Sequence, residues 1–190
     1  MNFRRTTCPH CRGKLDQGQR IHPACIDGYA EAQEAKAKRA EEKRARAAAK
    51  VERAEIRKRK EAIKTIPALE DECRRIVQKI ARIRDRNDGC ISCDKPASWD
   101  GQWHGSHFRS HGAASAVQFH LWNINKACWI CNKLYSGRID QYEPRLVAKR
   151  GQEAVDWLKS QNQIVRYSRE YLVRFKKVMG KRLRRMEQRL

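Results

Sequence analysis

The middle of the chain holds two Cys-x2-Cys pairs, Cys90 with Cys93 and Cys128 with Cys131, at the spacing of structural zinc ligands. Each pair can present two thiolates to one ion from a tight turn, and two pairs complete a tetrahedral site. Because all four ligands then come from the protein, no position stays open for water, and the zinc is predicted to be structural. The alternative is four buried thiols that share this spacing by chance.

A second group of possible metal ligands lies near the N-terminus and offers three thiolates and one imidazole, a combination that suits structural zinc. His10 is a less favoured ligand, and the alternative is a disordered tail with incidental cysteines. Cys73 falls on the apolar face of a predicted helix, so it is expected in a core. The sequence therefore predicts a second zinc ion, held by Cys8, Cys11, His22 and Cys25.

Histidines and asparagines that a structural zinc site does not need stand among and after the central cysteines. Their order is Cys-x2-Cys, His107, Asn123, and then Cys-x2-Cys followed directly by Asn132. This order resembles that of the His-Asn-His, or ββα-metal, nucleases. Over nearly the whole chain the sequence is similar to the phage lambda NinG (Rap) recombination endonuclease family, including a helical tail with residues 151–156. Phage endonuclease VII, a Holliday-junction resolvase, has a similar cysteine spacing.

The resemblance implies a role for each of these side chains in phosphodiester hydrolysis. His107 corresponds to the general base, since a neutral imidazole with a pKa of about 6.5 can take a proton from the attacking water. Asn132 corresponds to an oxygen ligand of a catalytic Mg²⁺ or Mn²⁺ ion that binds the scissile phosphate. Asn123 corresponds to the asparagine that holds the loop carrying the base. Simpler alternatives are a packed histidine at His107 and a helix cap at Asn132.

The second ligand of the catalytic ion departs from the pattern of the resembling family. Relatives carry an aspartate just before the base, where this chain has His104, and Asp100 is the alternative ligand. Imidazole suits Mn, Fe, Co, Ni or Zn better than Mg, so His104 would shift the metal preference toward transition ions. Four basic residues are the predicted DNA contacts: Arg109, Lys133, Lys176 and Lys177.

The charge of the chain indicates a polyanionic partner. Lys and Arg number 43 against 22 Asp and Glu, a formal net charge of +21 over 190 residues. Such a charge favours nucleic acid, because neutralised phosphates release condensed counterions. No apolar run reaches the ~20 residues that span a membrane, and the N-terminus lacks the apolar segment of a signal peptide. We therefore predict a DNA-binding protein without a membrane partner, located in the cytoplasm, where paired cysteines bind metal rather than form disulfides.

The elements that position these residues are predicted to form an α+β fold, a small zinc-bound ββα-metal (HNH) core with an N-terminal zinc knuckle and long flanking helices. The stretch after Tyr29 is rich in the helix formers Ala, Glu, Lys and Arg, and Pro67 interrupts it. The piece after Pro67 is expected to pack against the Cys-rich domain. The predicted segments are 1–28, a Cys/His zinc knuckle; 29–86, a charged helical segment; 87–140, the nuclease core with the four-cysteine site; and 141–190, a basic helical segment.

Aromatic residues are concentrated in the third segment, and a small zinc domain needs them to fill its core. We therefore predict core positions, rather than base-stacking roles, for Trp99, Trp103, Phe119, Trp122 and Trp129.

Together these features predict a metal-dependent DNA endonuclease. The resemblance implies branched recombination intermediates, such as Holliday junctions and D-loops, as substrates. A homodimer is expected because a four-way junction offers two symmetric cuts. One alternative is a non-catalytic zinc-ribbon nucleic-acid-binding protein, which fits the charge and the cysteines equally well. The other is a sequence-specific HNH nuclease, which would cut linear duplex at particular sites.

Overall fold

The computed structural model describes residues 5–190, which fall into two compact units that divide between Ile63 and Lys64. The first unit begins with a small knuckle in which Thr7 and Lys14 form an antiparallel bridge. A 3-10 turn, Pro23–Cys25, leads into helix α1, Ile26–Ala62. No side chain of α1 is buried, so its Ala, Glu, Lys and Arg residues form a solvated helix, as their composition predicted.

The second unit opens with helix α2, Ile66–Arg84. The Thr65 side chain accepts a hydrogen bond from the amide of Ala68 at 3.4 Å, and Pro67 lies in the first turn, where a helix needs no backbone N–H donor. Of the apolar positions that helical spacing picks out, Leu69, Cys73 and Ile80 are buried, whereas Ile76 and Ile83 are half-buried; the buried face packs against helix α5, Arg169–Glu187, and against the sheet. Cys73 is fully buried in this face, as predicted.

Two five-residue strands form the sheet of the second unit. Strand β1, Trp103–His107, pairs antiparallel with β2, Ile124–Cys128, so that Trp103 lies opposite Cys128 and His107 opposite Ile124. A short π-helix, Ile130–Leu134, follows β2 almost directly. The second unit is thus helix-rich, with one small two-stranded sheet followed by a helical turn.

Three helices complete the second unit: α3, Ile139–Arg150; α4, Gln152–Ser160; and α5. Gly151 separates α3 from α4 with a φ of 86°, a conformation that favours glycine. Residues 161–168 have no regular structure, and Ser168 then caps α5 by accepting a hydrogen bond from the amide of Tyr171 at 3.2 Å. The sequence analysis treated residues 141–190 as one helical segment, whereas the structure has two breaks in it.

The buried side chains form two clusters. One surrounds the central cysteines and includes Phe108, Tyr142, Leu146, Val155 and Leu158, with Trp99 and Trp103 packed against it. The other lies between α2 and α5 and includes Leu69, Cys73, Val77, Phe119, Ile124 and Leu172. The piece after Pro67 therefore packs on α5 and on the sheet. None of the helices within residues 5–190 is both long enough and apolar enough to cross a membrane.

Two of the five aromatic residues predicted in the core are instead exposed. Trp122 and Trp129 keep 43% and 37% of their surface accessible. Phe119 and Ile124 already fill the core beside Trp122. Trp129 follows Cys128 in the turn that ends at Cys131; both cysteines are buried, and the Trp129 side chain remains exposed. The prediction was right for Trp99, Trp103 and Phe119 and wrong for these two.

Candidate functional site

The four central cysteines converge on one point. Their sulfur atoms lie within 4.8 Å of one another, and the Sγ atoms of Cys93 and Cys128 are 3.8 Å apart. In a tetrahedral thiolate site with Zn–S bonds of about 2.3 Å, neighbouring sulfurs are about 3.8 Å apart. The backbone amide of Cys128 donates to Cys90 Sγ at 3.2 Å, and that of Cys131 donates to Cys128 Sγ at 3.4 Å. Such amide donors stabilise thiolates, so the cluster fits zinc.

The charges of these sulfurs also favour a bound cation. Burial, together with neighbouring sulfurs, raises the pKa of the Cys131 thiol. Four thiolates this close would repel one another in a buried site unless a cation neutralised them. A divalent ion removes that cost and would link the loop before β1 to the end of β2.

The N-terminal cysteines and histidine also converge, in the first unit. Cys11 Sγ lies 3.2 Å from Nδ1 of His22, and the four side-chain ligand atoms lie within 4.8 Å of one another. The other ring nitrogen, Nε2 of His22, donates to the carbonyl of Lys14 at 3.0 Å, which leaves Nδ1 as the unprotonated, metal-binding atom. His10 lies outside the cluster, with its ring against Gly28. The N-terminal cluster therefore also fits a zinc ion.

His104 and Asn132 meet at one end of the sheet. His104 lies on β1, Asn132 on the π-helix after β2, and the Asn132 amide nitrogen donates to His104 Nδ1 at 3.0 Å. The Cys128 and Cys131 pair holds the π-helix against the strand, so the central cysteine cluster positions Asn132. The structure thus brings together the two residues that the sequence analysis assigned to the catalytic ion.

A recess of about 360 Å³ opens beside this pair. Burial, and then the charges of Lys133 and Arg82, lower the pKa of His104, so its ring is kept neutral. No carboxylate is among the residues that line the recess, and the alternative ligand Asp100 does not border it. We call it the His104 recess; it is lined by Gln78, Arg82, Gln102, Trp103, His104, Gly105, Asn132 and Lys133.

The distance between His104 and Asn132 suits two neighbouring ligands of one ion. Adjacent ligands of an octahedral ion with bonds of about 2.1 Å lie about 3 Å apart, and the two side-chain atoms are 3.0 Å apart. Half a turn of the Asn132 amide would place its oxygen, the ligating atom, at that position. An imidazole and a carboxamide without a carboxylate suit a transition ion better than Mg²⁺.

His107 lies elsewhere on the sheet. Successive strand residues point to opposite faces, so His104 and His107, three positions apart on β1, lie on opposite faces. His107 Nε2 donates to the carbonyl of Gln118 at 2.9 Å, which leaves Nδ1 as the basic nitrogen. Burial lowers the pKa of His107, and the nearby His111 and Arg74 act in the same direction. The side chains that line the His104 recess do not include His107.

Asn123 is fully buried and holds the chain just beyond His107. Its side-chain oxygen accepts from the backbone amide of Arg109 at 2.7 Å, and its amide donates to the carbonyls of Arg109 and Val117 at 3.0 and 3.1 Å. Asn123 thus fixes the backbone at Arg109, two residues after His107.

The four predicted DNA contacts occupy different environments. Lys133 and Lys177 are exposed, and Lys133 borders the His104 recess. Lys176 forms an ion pair with Glu72 at 2.9 Å. The Arg109 guanidinium donates to Asn162. The charges of Lys133 and Lys177 are therefore the better placed for a phosphate.

Several residues that shape the site were not found from the sequence. Arg82 and Gln78 line the recess from α2, more than twenty positions before His104, and no local motif marks them. Asn125 is buried and donates to the Tyr142 hydroxyl at 3.1 Å, which donates to the carbonyl of Ser106 at 3.0 Å. Asn125, to which we assigned no role, thus joins both strands to α3.

Comparison with known proteins gives consistent matches. Residues 2–189 match the family described as Bacteriophage Lambda NinG protein. Protein ninG of Escherichia phage lambda is 38% identical over 94 residues, which cover 50% of this chain and 45% of the relative. Protein ninG of Enterobacteria phage H19B is 35% identical over 115 residues, 60% of this chain and 56% of the relative. The aligned part thus spans about half the length of these curated relatives. No solved structure matches the chain at a significant level.

Proposed function

The chain belongs to the bacteriophage lambda NinG family, and on that premise we propose that it is a metal-dependent endonuclease that cuts branched DNA. The sheet and the following π-helix would be its ββα-metal core, and the cysteine clusters would hold structural zinc. The formal net charge of +21 supports a DNA substrate. A preference for Holliday junctions and D-loops, and a homodimer, are part of the proposal because the resemblance implies them.

The observation that carries the proposal is the contact between His104 and Asn132 in a recess bordered by Arg82 and Lys133. A purely structural zinc domain does not need an imidazole and a carboxamide 3.0 Å apart on a surface recess. Two cations at its rim would attract a phosphate, and both lower the pKa of His104, which keeps that ring available as a ligand.

Each residue then has a distinct task. His104 and Asn132 would hold the divalent ion, which supplies charge stabilisation at the scissile phosphate when bound. Arg82 and Lys133 would bind the phosphate oxygens. The resemblance implies His107 as the base, but His107 lies on the face of β1 opposite the His104 recess, so no residue of the recess is assigned that role; Asn123 holds the loop after His107.

Cleavage of synthetic DNA tests the proposal. The wild-type protein is incubated with four-way junctions, D-loops and linear duplex in Mg²⁺ or Mn²⁺, beside His104→Ala, Asn132→Ala and His107→Ala. His111→Ala is the matched control, because His111 is exposed and outside the recess. We expect cutting of branched DNA by wild type and control, with losses of at least about 100-fold in His104→Ala and Asn132→Ala. The loss in His107→Ala should be smaller, because that side chain lies on the other face of β1.

The metal preference gives a second test. We expect Mn²⁺ to support faster cleavage than Mg²⁺, because the ligands in the recess are an imidazole and a carboxamide. His104→Asp supplies an oxygen ligand and should raise the ratio of the Mg²⁺ rate to the Mn²⁺ rate by about tenfold. An unchanged ratio in His104→Asp would remove His104 from the metal site.

One observation favours a second candidate, a non-catalytic nucleic-acid-binding protein. His107 bonds to the Gln118 carbonyl and lies on the face of β1 opposite His104. If the protein only binds nucleic acid, wild type and His107→Ala would bind junctions equally and neither would cut. Cutting of linear duplex at particular sequences would instead indicate a sequence-specific nuclease.

A further inference from the structure

Two exposed tryptophans and a histidine form a cluster away from the His104 recess. The rings of Trp122 and Trp157 are 6.0 Å apart and nearly perpendicular, and the His120 ring lies 5.3 Å from Trp122 and 4.9 Å from Trp157. Trp122 and Trp157 keep 43% and 40% of their surfaces accessible. We call these three side chains the tryptophan cluster.

A recess of about 570 Å³ adjoins the tryptophan cluster. Both tryptophans line it, together with Arg150 at the end of α3 and residues 151–154. The Nε atom of Arg150 is buried and donates no hydrogen bond within residues 5–190. The recess therefore combines two aromatic surfaces with the guanidinium of Arg150 and the carboxylate of Glu153, and its aromatic surfaces suit a nucleobase.

The tryptophan cluster is connected to the chain that holds the nuclease residues. Trp122 directly precedes Asn123, whose amide holds the backbone of Arg109 two residues after His107. The His120 ring nitrogen Nδ1 accepts from the backbone amide of Trp122 at 3.3 Å, which orients the His120 ring. The cluster thus joins this loop to Trp157 on α4.

We infer that the tryptophan cluster is a stacking site for an unpaired nucleobase of the DNA. Bases in a duplex are already stacked, so this surface would favour DNA whose bases are exposed by branching. Base stacking on aromatic side chains is independent of sequence, because every base has a π face. The strongly basic protein supplies the charge complementarity for the phosphates. The inference rests on the proposed function only in taking DNA as the substrate.

Matched DNA probes test the inference. One labelled duplex carries a bulge of three unpaired thymidines, and a second carries three abasic nucleotides there, so both have the same phosphates. Fluorescence anisotropy without added Mg²⁺ or Mn²⁺ measures binding independently of cleavage. We expect wild type to bind the thymidine bulge about tenfold more tightly than the abasic bulge, as stacking of one or two bases implies.

Substitutions in the tryptophan cluster show whether its residues cause the tighter binding of the thymidine bulge. Trp122→Ala with Trp157→Ala should bind both probes equally, whereas Trp157→Phe should keep most of the preference. Tyr171→Ala is the matched control, since Tyr171 is 45% exposed on α5 and outside the cluster. Equal binding of both probes by wild type, or an unchanged preference in the double variant, would overturn the inference.

Two further measurements separate base stacking from misfolding of the double variant and from binding of a second protein chain. Photo-crosslinking of 5-iodouracil in the bulge to the wild-type protein should map to Trp122 or Trp157, and crosslinks found only elsewhere would overturn the inference. A wild-type dimer that becomes monomeric in the double variant, with no preference for the thymidine bulge, would instead make the cluster a self-association surface. If the preference holds but no DNA is cut, only the proposed endonuclease fails.

Discussion

His107 shows how a buried imidazole couples protonation to stability. Burial lowers its pKa in the folded protein, so the folded state binds fewer protons at this ring than the unfolded state, whose pKa is about 6.5. The free energy of unfolding therefore falls as the pH drops through about 6.5 and levels off below the lowered pKa. This contribution is absent at pH 8 and grows toward pH 5.

We expect His107→Gln to lose less stability than wild type when the pH falls from 7.5 to 5.5. Glutamine can keep a donor for the Gln118 carbonyl but does not titrate. Thermal unfolding at a series of pH values measures the difference. An equal loss in His107→Gln and wild type would contradict the assignment.

Some positions of single side chains could be predicted from the sequence, and others could not. The cysteine ligands were found from spacing alone, because two turns that bind one ion require it. The meeting of His104 with Asn132 was also expected, whereas the place of His107 on the opposite face was not, because the faces of β1 depend on its pairing with a strand about twenty residues later. The outward positions of Trp122 and Trp129 depend on neighbours that fill the core first.

At the scale of elements, Asp85 joins α2, β2 and α3. This buried carboxylate pairs with Arg84 at 2.7 Å and Lys149 at 2.8 Å, and it accepts from the amide of Lys126 at 3.2 Å. Burial raises its pKa, but hydrogen bonds from Arg84 and Lys149 outweigh that effect and lower it. The ion pairs therefore stabilise the fold at neutral pH and are lost as the pH falls through the lowered pKa.

Replacing Asp85 with Asn should lower the free energy of unfolding by about 3 kcal/mol, because two cations lose a buried partner. Asp88→Asn is the matched control: Asp88 is exposed and also binds Lys149, at 2.7 Å. Its loss should stay below about 1 kcal/mol. Urea unfolding at pH 7 compares the two, and equal losses would show that burial does not decide the effect.

Helix α5 carries two neighbouring lysines, of which one is in an ion pair and the other is exposed. Lys176 is paired with Glu72, whereas Lys177 is exposed. If α5 contacts phosphates, Lys177→Gln should lower the slope of log affinity against log salt by about 1, and Lys176→Gln should change it less. Anisotropy titrations between 50 and 300 mM salt on linear duplex measure both. Identical slopes for wild type and Lys177→Gln would exclude this lysine from the interface.

The helices of the second unit were largely predictable, since their apolar residues recur at helical spacing. The breaks in the C-terminal segment were harder to foresee. Gly151 is a local signal for the first break. Residues 161–168 owe their extended course to distant partners, such as the Ser115 hydroxyl, which accepts from the amide of Val165 at 2.6 Å.

At the scale of the whole molecule, the two cysteine clusters belong to different compact units, so each ion should be lost separately. We expect two zinc ions per chain by native mass spectrometry. Cys90→Ser and Cys11→Ser should each reduce the number to one. Cys73→Ser should keep both, since Cys73 is buried among apolar side chains outside the clusters. Fewer than two ions in Cys73→Ser would contradict this division.

The pairing of β1 with β2 links the register of the hairpin to the site formed by the four central cysteines. A slip of one place in this pairing would turn every side chain of β2 to the other face of the sheet. Such a slip would move the Cys128 side chain away from the other three central cysteines. A metal ion bound by the four cysteines would therefore keep the hairpin in the one alignment that sets His104 beside Asn132.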